Sequence, residues 1–156
     1  MDSIRLVLAV FASKNWEVHH MDVKYTFKHG YIHEEIYMNH PEGYITDPSL
    51  VCKIKKSLYG LKQAPREWYS KMDAFLLSQN FQSCKSDKNV YLQQYYGNLI
   101  IIFLYVDDLL ITGSTVSSIS SIKTTLHNAF EMSDLGLLKQ FLGLKIEQNY
   151  DGIMVT

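Results

Sequence analysis

The stretch from Leu99 to Thr112 reads Leu-Ile-Ile-Ile-Phe-Leu-Tyr-Val-Asp-Asp-Leu-Leu-Ile-Thr, and it restricts the fold more than any other part of the chain. Its fourteen residues are rich in β-branched and aromatic types, and they exceed the roughly 5–6 residues of an ordinary strand. The apolar part, Leu99 to Val106, is far too short to cross a membrane as a helix. A break at Asp107-Asp108 gives two apolar strands joined by an acidic tip. Two neighbouring carboxylates near a core repel each other and pay desolvation, so they do little for stability. A solvated turn is the bland explanation. Rigid apolar strands on both sides favour the other one, a site for a hard divalent cation such as Mg²⁺. Successive strand residues face opposite ways, so unequal roles are expected. On this reading Asp107 shares a face with Tyr105 and Phe103, and Asp108 is secondary.

The rest of the chain supplies partners for that hairpin. Ile4, Val7, Leu8 and Phe11 follow helical spacing behind Ser3 as an N-cap, which predicts a first helix rather than a signal peptide. Trp16 to Val23 reads as a strand carrying Asp22 near its end. Lys28 to Leu50 is polar and turn-rich, a long excursion with short extended pieces. Cys52 to Lys55 reads as a short strand. A helix is predicted from near Pro65, with Trp68, Met72, Phe75 and Leu76 on one stripe. Asn89 to Tyr95 reads as a strand followed by the hairpin signal Gly97-Asn98. Ser117 to Phe130 reads as a helix, and Phe141 to Gln148 and Ile153 to Thr156 as strands. This order predicts an α+β fold, a mainly antiparallel sheet with helices packed on one face.

Composition bounds the function only loosely. The 156 residues carry a net charge of −1, which does not by itself mark a nucleic-acid binder. The segment Val51 to Arg66 holds five cations and no acid, either a solvated face or a strip for phosphates. Cys52 and Cys84 are far apart and read as reduced thiols.

Chemistry is better defined. A cation bound to phosphates needs a carboxylate from a second element, and Asp22 is the candidate. Asp22, Asp107 and Asp108 together would hold two metal ions for in-line phosphoryl transfer. Such a site also suits a nuclease. A different class, a zinc module, is suggested by His19, His20, His29, His33 and His40, with His29 and His33 at i, i+4 spacing. It lacks a cysteine pair, and Gly30 interrupts the helix it needs.

Longer motifs carry a resemblance. Tyr105-Val106-Asp107-Asp108 resembles the Tyr-x-Asp-Asp box of reverse transcriptases. Met21-Asp22-Val23-Lys24-Tyr25-Thr26-Phe27 resembles their first acidic motif. Glu34-Glu35-Ile36-Tyr37-Met38, Pro41-Glu42-Gly43-Tyr44 and, most specifically, Ser57-Leu58-Tyr59-Gly60-Leu61-Lys62-Gln63-Ala64-Pro65-Arg66-Glu67-Trp68 resemble segments of the Ty1/copia type. Asp134-Leu135-Gly136 with Phe141-Leu142-Gly143-Leu144 resembles the segment leading to the primer grip. The chain is thus similar, over nearly its whole length, to copia-type retrotransposon reverse transcriptases.

The resemblance implies a polymerase-palm-like sheet, with catalytic acids on a hairpin tip and an adjacent strand end. It implies Asp22, Asp107 and Asp108 as catalytic, metal-holding residues for two Mg²⁺ ions, with Mn²⁺ as a substitute. Val23, Phe27, Gly60 and Tyr105 would face the nucleotide, Phe27 as the aromatic gate against a ribose 2′-hydroxyl. Lys62, Arg66, Phe141, Leu142 and Gly143 would meet nucleic acid. The implied partners are dNTPs, an RNA or DNA template with its primer, and other polyprotein regions: fingers, thumb, ribonuclease H and integrase. Residues 1–156 would form one partial palm domain without the N-terminal fingers, thumb or ribonuclease H. An intracellular chain, cytoplasmic or nuclear, not secreted and not membrane-bound, is expected. In isolation it is expected to be a weak or inactive polymerase; a non-catalytic remnant that binds nucleic acid is the other outcome.

Overall fold

In the computed structural model the described residues are 2–24, 31–41, 43–44, 47, 49–56, 64–149 and 152–156, with side chains described for these except 2–7, 31–34, 56 and 64. The chain divides into two units, Met1–Lys24 with Leu76–Thr156, and Tyr25–Phe75.

The larger unit is built on a six-stranded sheet. Its strands are β1 (Val18–Val23), β4 (Gln82–Ser83), β5 (Val90–Tyr95), β6 (Asn98–Tyr105), β7 (Asp108–Gly113) and β8 (Met132–Leu137). They lie in the order β4-β5-β6-β7-β1-β8, and every neighbouring pair is antiparallel. The long apolar run therefore does fold back on itself. Its two halves, β6 and β7, occupy the middle of the sheet, and Ile102, Leu109, Leu110 and Ile111 are fully buried. Burial on both faces is why the run is continuous in apolar residues rather than alternating.

Helix α1 (Asp2–Lys14) and helix α3 (Val116–Ala129) cover opposite faces of this sheet. Leu8 and Phe11 of α1 pack with Val18, Leu110, Phe103, Ile101 and Val90. Register puts Val18, Leu110 and Phe103 on one face. His19 and Met21 point the other way and line a cavity with Ile119 and Lys123 of α3. The expectation of helices on one face is therefore corrected. Both faces of β6 and β7 carry buried apolar residues, and each needs a cover. Helix α1 also begins at Asp2, so Ser3 lies inside the first turn rather than capping it. Helix α3 is capped as polar chemistry demands, with Thr115 Oγ1 accepting from the Ser118 backbone N–H.

A second, three-stranded sheet, ordered β11-β10-β9, joins α1 on its face. It comprises β9 (Gln140–Phe141), β10 (Leu144–Asn149) and β11 (Gly152–Val155). The predicted strand Phe141–Gln148 is thus broken by a two-residue turn, Leu142-Gly143, with both φ angles positive (49° and 81°). Gln148 ties this sheet to β1: its side chain accepts from the Val18 N–H at 2.8 Å and donates to the Val18 and Leu138 carbonyls at 3.0 and 2.9 Å. A similar turn, Tyr96-Gly97, links β5 to β6, one residue earlier than the sequence signal suggested.

Gly113 closes the far end of β7. A Cβ added there would lie 2.8 Å from the Leu99 carbonyl oxygen, which is backbone and cannot swing aside. Gly113→Ala is expected to cost about 1–3 kcal/mol, read as a lower urea midpoint with unchanged slope. A wild-type midpoint would refute that close approach.

The smaller unit contains the antiparallel pair β2 (Tyr31–Met38) and β3 (Cys52–Lys56), and most of α2 (Ala64–Ser78). Trp68, Met72 and Leu76 are buried along α2, as their spacing predicts, whereas Phe75 is only half-buried. Both cysteines are free. No helix among the described residues is long and apolar enough to cross a membrane.

Candidate active site

The acids come together through strand register. Strand β1 pairs with β7 so that Asp22 stands opposite Asp108, and Asp108 in turn stands opposite Tyr105 on β6. Directly paired residues project on the same face. Asp22, Asp108 and Tyr105 therefore share the face that carries Phe103. The expectation that Asp107 shares this face is corrected. Asp107 sits in the two-residue turn Val106-Asp107, and Asp108 is the first residue of the strand that follows.

The turn is strained and pinned. Val106 has φ 55°, a left-handed conformation that a β-branched residue adopts at a cost of about 1–3 kcal/mol. The Val23 N–H donates to the Asp107 carbonyl at 2.9 Å, which fastens the tip to the end of β1. Such strain persists only where surroundings enforce it, and it clusters at functional sites.

The electrostatics agree with crowding of like charge. Asp22 is held above the ordinary carboxylate range, first by partial burial and then by the charges of Asp107 and Asp108, with His20 and Lys24 pulling the other way. Among the described residues, no three His, Cys, Asp or Glu side chains converge into a ready-made metal cage. A magnesium site needs less than that, commonly one or two carboxylates plus substrate phosphates and retained waters. Asp22, at the end of β1, and Asp107, in the turn that the Val23 N–H fastens to that end, are hard oxygen donors that fit this requirement.

One neighbour was not anticipated as part of the site. His20 Nε2 lies 2.6 Å from Asp108 Oδ1, with the two side chains 13% and 27% exposed. In sequence His20 figures only in the histidine-rich segment. Its i, i+2 relation to Asp22 on a strand was the signal that both face the same way. His19 faces α3 instead. Glu17 lies 3.4 Å from its Nε2 and Lys123 Nζ lies 3.4 Å from its Nδ1. Burial, then the Lys123 charge, pushes its imidazole below the usual range. Lys123 also pairs with Asp134 at 2.6 Å. Two histidines on opposite faces of one strand cannot share a zinc ion. His40 in the smaller unit meets Cys52 Sγ through Nδ1 at 3.2 Å. His29 and the side chain of His33 lie outside the described residues.

The other expected site residues divide into three groups. Tyr105 is 40% exposed beside the acids. Leu142 and Gly143 form the exposed turn of the β9–β10 hairpin. Arg66 is exposed on α2, in the smaller unit. Two others have buried side chains. The Phe141 ring is buried, edge-on to Tyr105 (5.9 Å between centroids), Phe103 (6.4 Å) and His20 (6.1 Å), so it packs beneath the acidic hairpin. The Val23 side chain is buried on the α3 face, so its contribution at the tip is the backbone N–H. Phe27, Gly60 and Lys62 lie outside the described residues. Of the basic strip, Lys53 is ion-paired with Glu35 on the surface, a pair worth little to stability.

Comparison with known proteins gives the context. The profile of the family described as "Reverse transcriptase (RNA-dependent DNA polymerase)" matches residues 1–156. A retrovirus-related Pol polyprotein from the tobacco (Nicotiana tabacum) transposon TNT 1-94 is 48% identical over 149 residues, 94% of this chain and 11% of that protein. The Pol polyprotein of transposon RE1 from Arabidopsis thaliana is 35% identical over 156 residues, 99% of this chain and 11% of that protein. A putative transposon Ty5-1 protein of Saccharomyces cerevisiae is 32% identical over 134 residues, 85% of this chain and 44% of that protein. The chain thus spans a small part of the plant relatives. No solved structure matches it.

Proposed function

This chain belongs to the reverse transcriptase (RNA-dependent DNA polymerase) family, of the copia type, and we propose that its acidic hairpin is the nucleotidyl-transfer centre. The observation that carries this reading is the register that sets Asp22 against Asp108 while the Val23 N–H fastens Asp107. Asp22 and Asp107 would hold the divalent ions, with Asp108 as the third acid. Magnesium bound there, with Mn²⁺ as a substitute, supplies activation of the primer 3′-hydroxyl and neutralisation of charge on the triphosphate. The chain contributes position. Antiparallel β1, β6 and β7 hold the acids on rigid backbone, which is what in-line phosphoryl transfer most requires of a protein.

Tyr105 offers an exposed ring next to the acids for an incoming dNTP. The Leu142-Gly143 turn presents backbone to the primer end, and by the family's motifs Phe27 and Gly60 would be the residues that meet the nucleotide. Arg66 and Lys62 would meet the phosphates of an RNA or DNA template. Fingers, thumb, ribonuclease H and integrase regions are the partners within a polyprotein.

The test is single-nucleotide incorporation on an RNA template, at high protein concentration, with Mg²⁺ or Mn²⁺. Slow incorporation by the 156-residue chain, lost in Asp107→Asn, is expected. Salt-dependent primer-template binding with no incorporation would favour a non-catalytic remnant, and shortening of the primer would favour a nuclease.

A further inference from the structure

We propose that His20 is a positioning residue that withholds Asp108 from the metal, leaving Asp22 and Asp107 as the working ligands. This rests on the metal-dependent reading above and goes beyond it by giving His20 a part in the site, as the residue that holds Asp108 aside.

The geometry is specific. His20 and Asp22 lie two residues apart on β1, facing Leu110 and Asp108 of β7 respectively. His20 is thus diagonal to Asp108, within reach of a long side chain across an antiparallel pair. Its Nε2 stands 2.6 Å from Oδ1. The ring is mostly buried and lies edge-to-face with the buried Phe141, so it is held in place by β9 as well as by β1. An N–H donated to a carboxylate in a partly buried setting is one of the stronger hydrogen bonds a protein makes. A cation that takes Oδ1 must first displace it. Among the described residues, no side chain holds the Asp22 or Asp107 carboxylate in this way.

The arrangement also distinguishes withholding from a rival role. An imidazole is a good ligand for zinc, whereas Mn²⁺ and Mg²⁺ both favour carboxylate and water oxygens. If His20 were a ligand, its removal would weaken Mn²⁺ binding. If it withholds Asp108, its removal tightens binding.

Mn²⁺ binding to the 156-residue chain, followed by electron paramagnetic resonance with Mg²⁺ in competition, separates these. His20→Leu keeps an apolar body against Phe141 and deletes the donor. It should tighten Mn²⁺ about tenfold, the size expected for freeing a charged acceptor. His20→Gln retains an N–H donor and should restore wild-type affinity. In an Asp108→Asn background, His20→Leu should change nothing. Weaker or unchanged binding in His20→Leu overturns the proposal and leaves the proposed function standing, provided Asp22→Asn still abolishes binding. Mn²⁺ binding that is absent, or indifferent to both Asp22→Asn and Asp107→Asn, overturns both. A second measurement does not depend on the variants folding. The ¹⁵N signals of the His20 ring should stay at their hydrogen-bonded positions in Mg²⁺-saturated protein. Their displacement by Mg²⁺ would show Asp108 leaving His20 for the metal, which also overturns the proposal.

Discussion

Asp22→Asn is expected to melt higher than the wild-type chain at pH 7 without metal, yet to gain nothing from Mn²⁺. The first half follows from the raised proton affinity of Asp22. A carboxyl held above its ordinary value of 3.8 binds its proton more tightly folded than unfolded. Its stabilisation is fully present below the unfolded value and is lost as pH rises through the folded one. At pH 7 the ionised group is therefore a burden on the fold, imposed by burial and by Asp107 and Asp108. The amide removes the charge and the burden. The second half follows from linkage. Saturating metal at about 100 times its dissociation constant stabilises the native state by about 2.7 kcal/mol, or about 5–10 °C for a chain of this size. The wild type should show that rise, and Asp22→Asn should not. Nucleotide incorporation should fall at least about a thousandfold with it, given several kcal/mol of metal-supplied stabilisation. Thermal melts at pH 7 with and without Mn²⁺ check both halves. A variant that melts lower than wild type without metal, or that keeps the Mn²⁺ rise, would contradict the placement of Asp22 in a crowded acidic centre.

The second large effect is expected from a residue that touches no substrate. Phe141→Ala should cost about 3–5 kcal/mol, the usual range for emptying a buried aromatic site. The ring is 3% exposed and packs with Phe103, Tyr105 and His20 at once. It therefore links β9 to the strand leading into the acidic turn and to the residue that holds Asp108. Phe141→Leu should lose roughly 1 kcal/mol, because much of the volume remains. Urea unfolding of the pair measures this. Equal midpoints for wild type and Phe141→Ala would mean that β9 is not part of the support. A large loss in Phe141→Ala accompanied by unchanged Mn²⁺ affinity would mean that the support is structural only.

The acidic hairpin was legible because its chemistry is local. Apolar, β-branched strands interrupted by two carboxylates leave few other arrangements. The pairing with Asp22 was reachable too, because a strand ending in an acid needs a partner edge. What stayed hidden depended on contacts between distant segments. Nothing in α1 announces which face of the sheet Leu8 and Phe11 will cover, since β6 and β7 are apolar on both. Strand β8 has no clear apolar alternation in the sequence, because Asp134-Leu135-Gly136 interrupts it. That segment is a bulge, where Gly136 takes φ 74° and the Asp134 side chain accepts its N–H at 2.9 Å. The motif around Phe141 gives no sign that its ring is buried against Phe103, Tyr105 and His20. His20 was visible in the alternation of β1, but its hydrogen bond to Asp108 needed three-dimensional register.

That register has a genetic corollary. With side chains alternating at every step, adding or deleting one codon between Trp16 and His19 would turn the aspartate toward α3 and carry His19 to the side of the tip. The irregularity that absorbs an extra residue lies on β8, between its partners of His20 and Met21, and leaves the alignment of β1 with β7 unbroken. Copies of such a sequence would therefore lose their chemistry through small length changes in this short stretch while every acidic letter was still spelled out.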